Sequence, residues 1–244
     1  MKIAVISDFH GLLPENIHCD LLLIAGDISP FNIQGNKEKM KEWIQTTFKE
    51  WVDNLDCDEV VMTPGNHDFI WEAMDSKTKR REFHNIFESK LICLWNESYI
   101  YPYLEDGKTK EVKIFGTPYC HIYGNWPFMR HTWILQEKFR EIPDDINILL
   151  SHDPPFALGD TDVILKPKYP TQAHFSHLGN MDLKERVLNI IDRKDSQLKY
   201  LFCGHIHSGD HTFKEWFGIK YANVCLMDEY CNELIYPPLE FEYI

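Results

Sequence analysis

The sequence has 244 residues, and its 44% apolar and 14% aromatic residues are enough to fill the core of one sizeable domain. The formal net charge of −13 argues against binding to long nucleic acids, because such binding needs a basic surface that displaces counterions from the phosphate backbone. Seven scattered cysteines without a CxxC pair are unlike a disulfide framework or a thiolate zinc knuckle.

The start of the chain lacks the features of a targeting segment. Met1-Lys2 leads into four apolar residues, and Ser7-Asp8 ends that run, which is too short for a signal peptide or a membrane span. We therefore predict a cytoplasmic protein with no membrane partner. No repeat, low-complexity tract or Pro/Gly/Ser-rich linker divides the chain, which indicates a single domain over residues 1–244.

Short apolar runs flanked by Gly, Pro, Asp or Asn recur along the chain and predict strands buried on both faces. They span residues 2–6, 21–25, 59–63, 112–116, 146–150 and 199–203. The clearest helix is predicted where apolar residues repeat every three or four positions. It covers 37–55, and weaker helical patterns cover 78–90, 130–141 and 180–193.

The remaining segments predict further β-structure. Residues 98–104 and 111–116 are joined across Glu105-Asp106-Gly107-Lys108 and predict a hairpin. The tail over 218–244 is rich in strand-forming residues. Strands that alternate with helices and are followed by such segments indicate an α/β fold with sheets layered between helices.

Side chains that bind metals follow five of the predicted strands. These strand ends are Ser7-Asp8-Phe9-His10, Gly26-Asp27, Gly65-Asn66-His67-Asp68, Ser151-His152 and Gly204-His205-Ile206-His207. In open α/β sheets, ligands bind beyond the carboxyl ends of the strands, so these loops can converge on one crevice. In the DxH and HxH pairs, extended side chains two positions apart leave the same face of the backbone, so both members of a pair can reach one site.

The candidate ligands are His, Asp and Asn, without sulfur. This set has too many imidazoles for calcium or magnesium alone and too few thiolates for a structural zinc site. Two first-row transition-metal ions such as Mn, Fe or Zn fit better. A two-metal hydrolytic site needs a bridging carboxylate and ions roughly 3.5–4 Å apart, and Asp27 is the natural bridge. Two divalent ions with Asp8 and Asp27 leave an electropositive centre that attracts a phosphate ester.

The ordered motifs resemble those of the calcineurin-like metallophosphoesterase superfamily. Its pattern is DxH, GD, GNH(D/E), (S/T/G)H and GHxH, and all five steps are intact here. The resemblance implies a four-layer α/β/β/α sandwich, in which two mixed β-sheets are flanked by helices. It also implies two metal ions that share Asp27. The ligands of one ion would be Asp8, His10 and His207, and those of the other Asn66, His152 and His205.

The same resemblance assigns roles to the two residues that follow Asn66. His67 would lie above the metals and donate a hydrogen bond to the phosphoryl oxygen or protonate the leaving alkoxide. Asp68 would support catalysis by orienting a loop or an imidazole. The superfamily's protein phosphatases extend GD to GDxxDRG, but here Asp27 is followed by ISPFN. This departure argues against a protein phosphatase and leaves the partner of His67 unassigned.

Three further segments resemble the small metallophosphoesterase-domain proteins related to class III cyclic-nucleotide phosphodiesterases. They are Gly116-Thr117-Pro118-Tyr119, Tyr123-Gly124-Asn125-Trp126-Pro127-Phe128 and Ser151-His152-Asp153-Pro154-Pro155. This narrower resemblance implies a phosphodiesterase, including one that acts on cyclic nucleotides.

The sequence thus predicts a metal-dependent phosphoric ester hydrolase that cleaves a small phosphodiester or a cyclic nucleotide through a metal-bridging hydroxide, with Mn²⁺ the most effective ion in an assay. One alternative is a phosphomonoesterase acting on nucleotides or small molecules. Another is a non-catalytic binding scaffold with the calcineurin-like fold. The predicted partner is a small phosphate ester, such as a nucleotide, and the oligomeric state stays open.

Two loops, 117–131 and 154–180, follow strand ends and are expected to shape the substrate pocket. Within the first, His121, Asn125 and Trp126 form a separate hypothesis as residues that line the substrate mouth. Whether the carboxylate of Asp153 points into the site is left open by the sequence.

Overall fold

The computed structural model describes residues 1–73, 81, 85–88, 90–164 and 176–243. Its strands, in chain order, are β1 (Lys2–Ile6), β2 (Leu21–Ile24), β3 (Glu59–Met62), β4 (Leu91–Cys93), β5 (Glu97–Glu105), β6 (Lys108–Thr117), β7 (Cys120–His121), β8 (Met129–Arg130), β9 (Ile148–Ser151), β10 (Val163–Ile164), β11 (Ser176–His177), β12 (Tyr200–Cys203), β13 (Lys214–Trp216), β14 (Ile219–Asn223) and β15 (Leu239–Glu242). The described helices are α1 (Lys37–Trp43), α2 (Lys49–Asn54), α3 (Phe69–Ala73), α4 (Thr132–Arg140) and α5 (Met181–Ile191).

Two large mixed sheets organise these strands. The first has the order β15-β1-β2-β3-β4, with β1 to β4 parallel and β15 antiparallel at the edge. The second has the order β13-β14-β12-β9-β6-β5, with four parallel inner strands and an antiparallel strand at each edge. Two short pairs, β7-β8 and β10-β11, lie outside the large sheets.

Side chains on the strands alternate between two apolar clusters. In β1, Ile3 and Val5 join a cluster shared with strands of the second sheet, whereas Ala4 and Ile6 join a cluster that includes residues of α1, α2, α4 and α5. The inner strands are therefore buried on both faces, which is why their sequences read as continuous apolar runs. The sheets pack on each other and helices cover the outer faces, so the predicted four-layer α/β/β/α fold is confirmed.

The helix predicted over 37–55 is present, but a π turn at Ile44–Phe48 separates α1 from α2. The buried residues Met40, Ile44, Phe48 and Val52 recur every four positions. Four residues turn an α-helix by about 400°, so such a stripe drifts by about 40° at each step. The wider π turn takes up part of this drift and keeps the stripe against the sheet.

The other predicted elements differ mainly at their ends. The patterns over 130–141 and 180–193 correspond to α4 and α5, whereas the helix predicted over 78–90 lies largely outside the described residues. The predicted hairpin is β5-β6, which pairs from Glu97 and Gly116 to Glu105 and Lys108. In the described part of the tail, residues 218–243, the strands of the large sheets are β14 and β15. No helix in the described ranges combines the length and the apolar character needed to cross a bilayer.

Candidate metal centre

Loops from the two sheets meet at the carboxyl ends of the parallel strands. The amide of Asp8, after β1, donates to the carbonyl of Gly26, after β2, at 3.0 Å. The amide of Gly204, after β12, donates to the carbonyl of His152, after β9, at 3.1 Å. The His205 amide joins the two sets by donating to a carboxylate oxygen of Asp8 at 3.0 Å.

The backbone of these loops is strained rather than extended. Four of the predicted ligands have positive φ angles: Asp8 at 50°, His10 at 42°, Asp27 at 54° and His205 at 71°. Residues other than glycine rarely adopt this left-handed conformation, and it clusters at functional sites. The expectation of extended DxH and HxH pairs is therefore wrong. The side chains converge because the chain turns sharply beneath them.

Asp8, His10 and His207 form a first donor group, in which the ligand atoms lie within 4.8 Å of one another. Nε2 of His207 is 3.2 Å from Oδ1 of Asp8. The other carboxylate oxygen of Asp8 accepts from the hydroxyl of Ser7 and from the thiol of Cys225, whose sulfur is 3.1 Å away. These contacts hold the buried carboxylate in one orientation.

Asp27 lies between this group and the histidine that follows β9. Its Oδ2 is 3.9 Å from Nε2 of His10 and 3.4 Å from Nε2 of His152. The same nitrogen of His152 is 2.9 Å from Oδ1 of Asn66. Asp8, Asp27 and His152 also form a donor group within 4.8 Å. The geometry therefore fits the predicted sharing of Asp27 by two ions.

A cysteine that the sequence reasoning did not select joins the site. Cys120, His152 and His205 form a third donor group within 4.8 Å, and Cys120 is fully buried. It follows the end of β6 by three residues, within the loop 117–131 that is expected to shape the substrate pocket. The one signal in the sequence is its position just after a strand end.

The ring orientations of two histidines leave one nitrogen free to bind a cation. Nδ1 of His152 donates to the carbonyl of Ala25 at 2.8 Å, and Nδ1 of His207 donates to the carbonyl of Asp228 at 3.1 Å. A proton held on Nδ1 leaves the Nε2 lone pair for a metal. In both rings Nε2 is the atom that faces the carboxylates.

Burial and the two carboxylates divide the histidines into two classes. Burial opposes protonation of His152 and His207, but Asp27 raises the pKa of His152 to about 10 and Asp8 raises the pKa of His207 to about 11. Burial lowers the pKa values of His10 and His205 to about 4. Without metal ions, two imidazolium groups thus balance Asp8 and Asp27 at neutral pH. Bound cations would displace those protons.

Asp68 connects the loop of Asp27 and Ser29 to the loop of Gly65 through hydrogen bonds. Its Oδ2 accepts from the amides of Asp27 at 3.0 Å and Gly65 at 2.8 Å. Its Oδ1 accepts from the amide and hydroxyl of Ser29 at 3.0 and 2.6 Å. Burial and the neighbouring Asp27 raise the pKa of Asp68 to about 7. These contacts orient the loop of Asp27, and a part in catalysis itself stays a prediction.

His67 is half-buried at the edge of the donor groups. Its amide donates to Oδ1 of Asp27 at 2.7 Å, and its Nδ1 is 2.9 Å from Oε1 of Gln34. The ring centroid lies 4.5 Å from that of Trp126 and 5.2 Å from that of Phe31. Gln34 is therefore the hydrogen-bonding partner that the sequence left unassigned.

The residues of the proposed substrate mouth take different positions. Trp126 contacts the His67 ring, and Asn125 is exposed. His121 instead pairs with Asp153, with 3.1 Å between Nδ1 and Oδ2. Asp153 is fully buried and accepts also from Nδ2 of Asn180 at 3.1 Å. Its carboxylate holds the loop of His121 and, among the described residues, joins none of the three donor groups.

The donor set fits divalent transition-metal ions. Within the described part of the chain, Nδ1 of His10 is a buried imidazole nitrogen of the site that has no hydrogen-bonding partner. Glycine lets the backbone approach closely at two ligand loops, because a Cβ at Gly204 would collide with the Asp8 carboxylate and one at Gly65 with that of Asp27. Imidazole and carboxylate donors suit Mn, Fe and Zn.

Comparison with known proteins defines the class. The model of the calcineurin-like phosphoesterase family matches residues 1–209, so the chain belongs to that family and the predicted resemblance is confirmed. Membership of this family points to metal-dependent hydrolysis of phosphoesters, and the family implies a dinuclear divalent metal centre. The three donor groups are compatible with that centre.

The similarity of the chain to individual relatives is low. The chain is 26% identical over 228 residues to human metallophosphoesterase domain-containing protein 1, a match that covers 85% of the chain and 61% of that protein. It is 28% identical over 209 residues to the probable rhamnogalacturonate lyase C of Emericella nidulans, covering 86% of the chain and 17% of that protein. The chain thus spans less than two thirds of the length of either relative.

A solved structure shares the fold. The phosphopantetheinyl hydrolase of Mycobacterium tuberculosis aligns with a TM-score of 0.53 at 12% sequence identity, and the match covers 94% of the chain and 90% of that structure. At this identity the similarity concerns the fold alone. It agrees with two mixed sheets flanked by helices.

Proposed function

We propose that this protein is a dinuclear metal-dependent phosphodiesterase that hydrolyses a small phosphodiester or a cyclic nucleotide. The observation that carries the proposal is the convergence of seven predicted ligands from five strand ends, with His67 beside them. Asp27 Oδ2 lies 3.9 Å from the ring of His10 on one side and 3.4 Å from that of His152 on the other.

The protein would hold two cations that share Asp27. The residues of one site would be Asp8, His10 and His207, and those of the other Asn66, His152 and His205. When bound, divalent ions at such a site polarise a phosphoryl oxygen and make water more acidic. The chain's part is to hold their ligands rigidly, through the hydrogen bonds of Asp68, Ala25 and Asp228 described above.

His67 is the proposed general acid. Its Nδ1 is occupied by Gln34, so Nε2 remains to meet the substrate. A protonated ring would donate to the phosphoryl oxygen or give its proton to the leaving alkoxide. Contacts with Trp126 and Phe31 limit the movement of the His67 ring, so that it stays directed toward the site.

The missing arginine of the GDxxDRG motif supports a diester rather than a monoester as the proposed substrate. In the described residues, every ion pair of Asp8 and Asp27 is with a histidine, and the sequence lacks the arginine of the GDxxDRG motif. A monoester carries up to two negative charges and gains more from such an arginine than a diester with one charge. The alternatives are a phosphomonoesterase and a non-catalytic scaffold.

The test compares hydrolysis of bis(p-nitrophenyl) phosphate and p-nitrophenyl phosphate by chelator-treated protein, with and without added Mn²⁺. We expect Mn²⁺-dependent cleavage of the diester to exceed that of the monoester, and kcat to fall at least about 100-fold in His67→Ala. Asn66→Ala should lose activity together with bound metal. The exposed residues His18 and Asn54 provide the matched controls His18→Ala and Asn54→Ala.

Each alternative has its own outcome. Monoester turnover well above diester turnover would favour the phosphomonoesterase. Failure of the purified protein to bind metal, together with no turnover of either ester, would favour the scaffold. Full activity in His67→Ala would remove the general acid from the proposal.

A further inference from the structure

Cys120 stands among the imidazoles of one proposed metal site. Its sulfur lies within 4.8 Å of ligand nitrogens of both His152 and His205, and its side chain is fully buried. The thiol donates to the carbonyl oxygen of Pro118, with 3.6 Å between sulfur and oxygen, which is a weak contact. A buried thiol beside two histidines offers a third strong metal donor, in addition to the amide oxygen of Asn66.

The backbone on both sides of this sulfur is fixed. The amide of Cys120 donates to the carbonyl of Phe128 at 3.1 Å, just before β8, and Cys120 itself pairs with Met129 of β8. The next amide, that of His121, donates to Oδ2 of Asp153 at 3.2 Å. Because Asp153 follows His152 directly, these hydrogen bonds fix the Cys120 segment relative to a proposed metal ligand.

Two other thiols near the centre have different surroundings. Cys225 faces a carboxylate oxygen of Asp8 at 3.1 Å, so it acts as an S–H donor, because a thiolate there would be repelled. Cys231 lies 3.4 Å from Nδ1 of His207, the ring nitrogen opposite the one that faces Asp8. In the described residues, Cys120 is the cysteine that joins a donor group.

We propose that Cys120 supplies a thiolate ligand to the ion held by Asn66, His152 and His205, so that this site selects Zn²⁺ or Fe²⁺ over Mn²⁺. The inference rests on the metal centre of the proposed function. On binding, the S–H bond breaks, a sulfur–metal bond forms and the proton passes to solvent, with no change of oxidation state. Thiolate is a soft ligand that suits zinc and iron, whereas manganese prefers oxygen.

The first test replaces the native ions with Co²⁺, whose thiolate complexes show a charge-transfer band in the near ultraviolet. We expect the band in the wild-type protein and its loss in Cys120→Ser and Cys120→Ala, with the visible bands of bound cobalt retained. Cys231→Ser controls for a thiol near the centre, and Cys93→Ser for a buried thiol; both should keep the band. A wild-type protein that binds cobalt without the band, or a band that persists in both Cys120 variants, would overturn the proposal.

The second test is competition between Zn²⁺ and Mn²⁺, measured by metal content after equilibration with both. The ratio of zinc to manganese affinity should fall by about 10-fold or more in Cys120→Ala. An unchanged ratio contradicts the inference. Neither readout requires turnover, so a cobalt–thiolate band in an inactive protein would refute the proposed function alone, whereas diester cleavage without the band would refute the thiolate ligand alone.

Discussion

The hydrogen bond between His67 and Gln34, 2.9 Å from Nδ1 to Oε1, gives the proposed general acid a neutral partner. An amide oxygen fixes the direction of the ring without adding negative charge. Gln34 is therefore a positioning residue, and its replacement by a charged residue tests the role of His67.

Gln34→Glu should shift the alkaline limb of the pH profile of kcat upward by about 1 pH unit, because a carboxylate favours the protonated, proton-donating imidazole. The measurement is kcat for diester cleavage across the alkaline range with saturating metal. Gln45→Glu, at an exposed helical position, should leave the profile in place. An unshifted limb in Gln34→Glu would mean that the protonation of His67 does not govern kcat.

Asp68→Asn should lower the free energy of unfolding by about 1–3 kcal/mol. Both carboxylate oxygens accept from N–H or O–H donors, so the amide group of asparagine would face a donor whichever way it turned. Urea unfolding of the metal-free protein measures the loss. Asp56→Asn is the control, because that side chain is 80% exposed. Equal stabilities of the two variants would contradict the structural role of Asp68.

At the scale of secondary-structure elements, the positions of several ligands depend on glycines that follow the ends of strands. The segments after β2, β3 and β12 each contain a glycine immediately before the first ligand. The loops of Gly65 and Asp27 approach so closely that a side chain at position 65 has no space.

Gly65→Ala should abolish binding of at least one metal ion, because the new Cβ would collide with the Asp27 carboxylate and lie 2.6 Å from Cε1 of His152. Metal content after dialysis measures the effect. Gly35→Ala is the matched control, since a Cβ there meets nothing within 4 Å. Retention of two ions by Gly65→Ala would show that these loops can separate without loss of the site.

At the scale of the whole molecule, an acidic protein with a net charge of −13 keeps four histidines of its candidate site next to two buried carboxylates. The pKa values of His152 and His207 are raised from 6.5 to about 10 and about 11. The folded metal-free protein therefore binds more protons than the unfolded chain above pH 6.5. Its stability must fall as these two rings lose their protons.

We accordingly expect the free energy of unfolding of chelator-treated protein to decrease as pH rises from about 6.5 to about 10. Urea titrations at several pH values measure it. With saturating Zn²⁺ the decrease should disappear, because metal takes the place of the protons. A metal-free stability that stays constant over this interval would contradict the pairing of the two imidazolium groups with Asp8 and Asp27.

Much of the candidate site could be predicted because its ligand motifs lie directly beside recognisable strands in the sequence. Each of the five ligand motifs directly follows an apolar run, and parallel strands bring their carboxyl ends to one edge whatever the sequence distance. The same runs indicated the α/β class, since strands buried on both faces must be covered by other layers. The sequence by itself therefore determined the family, the layered fold and the seven candidate ligands.

Tertiary structure decided what each ligand touches. Gln34 forms a hydrogen bond with His67. Asp153 accepts a hydrogen bond from the strand that contains Cys120, and Cys120 lies close to His152 and His205. These residues come from loops whose relative position depends on how two twisted sheets pack. No periodicity or strand-end rule encodes that packing. The backbone turns at Asp8 and His205 were likewise missed, because left-handed angles at residues other than glycine persist only where surrounding contacts impose them.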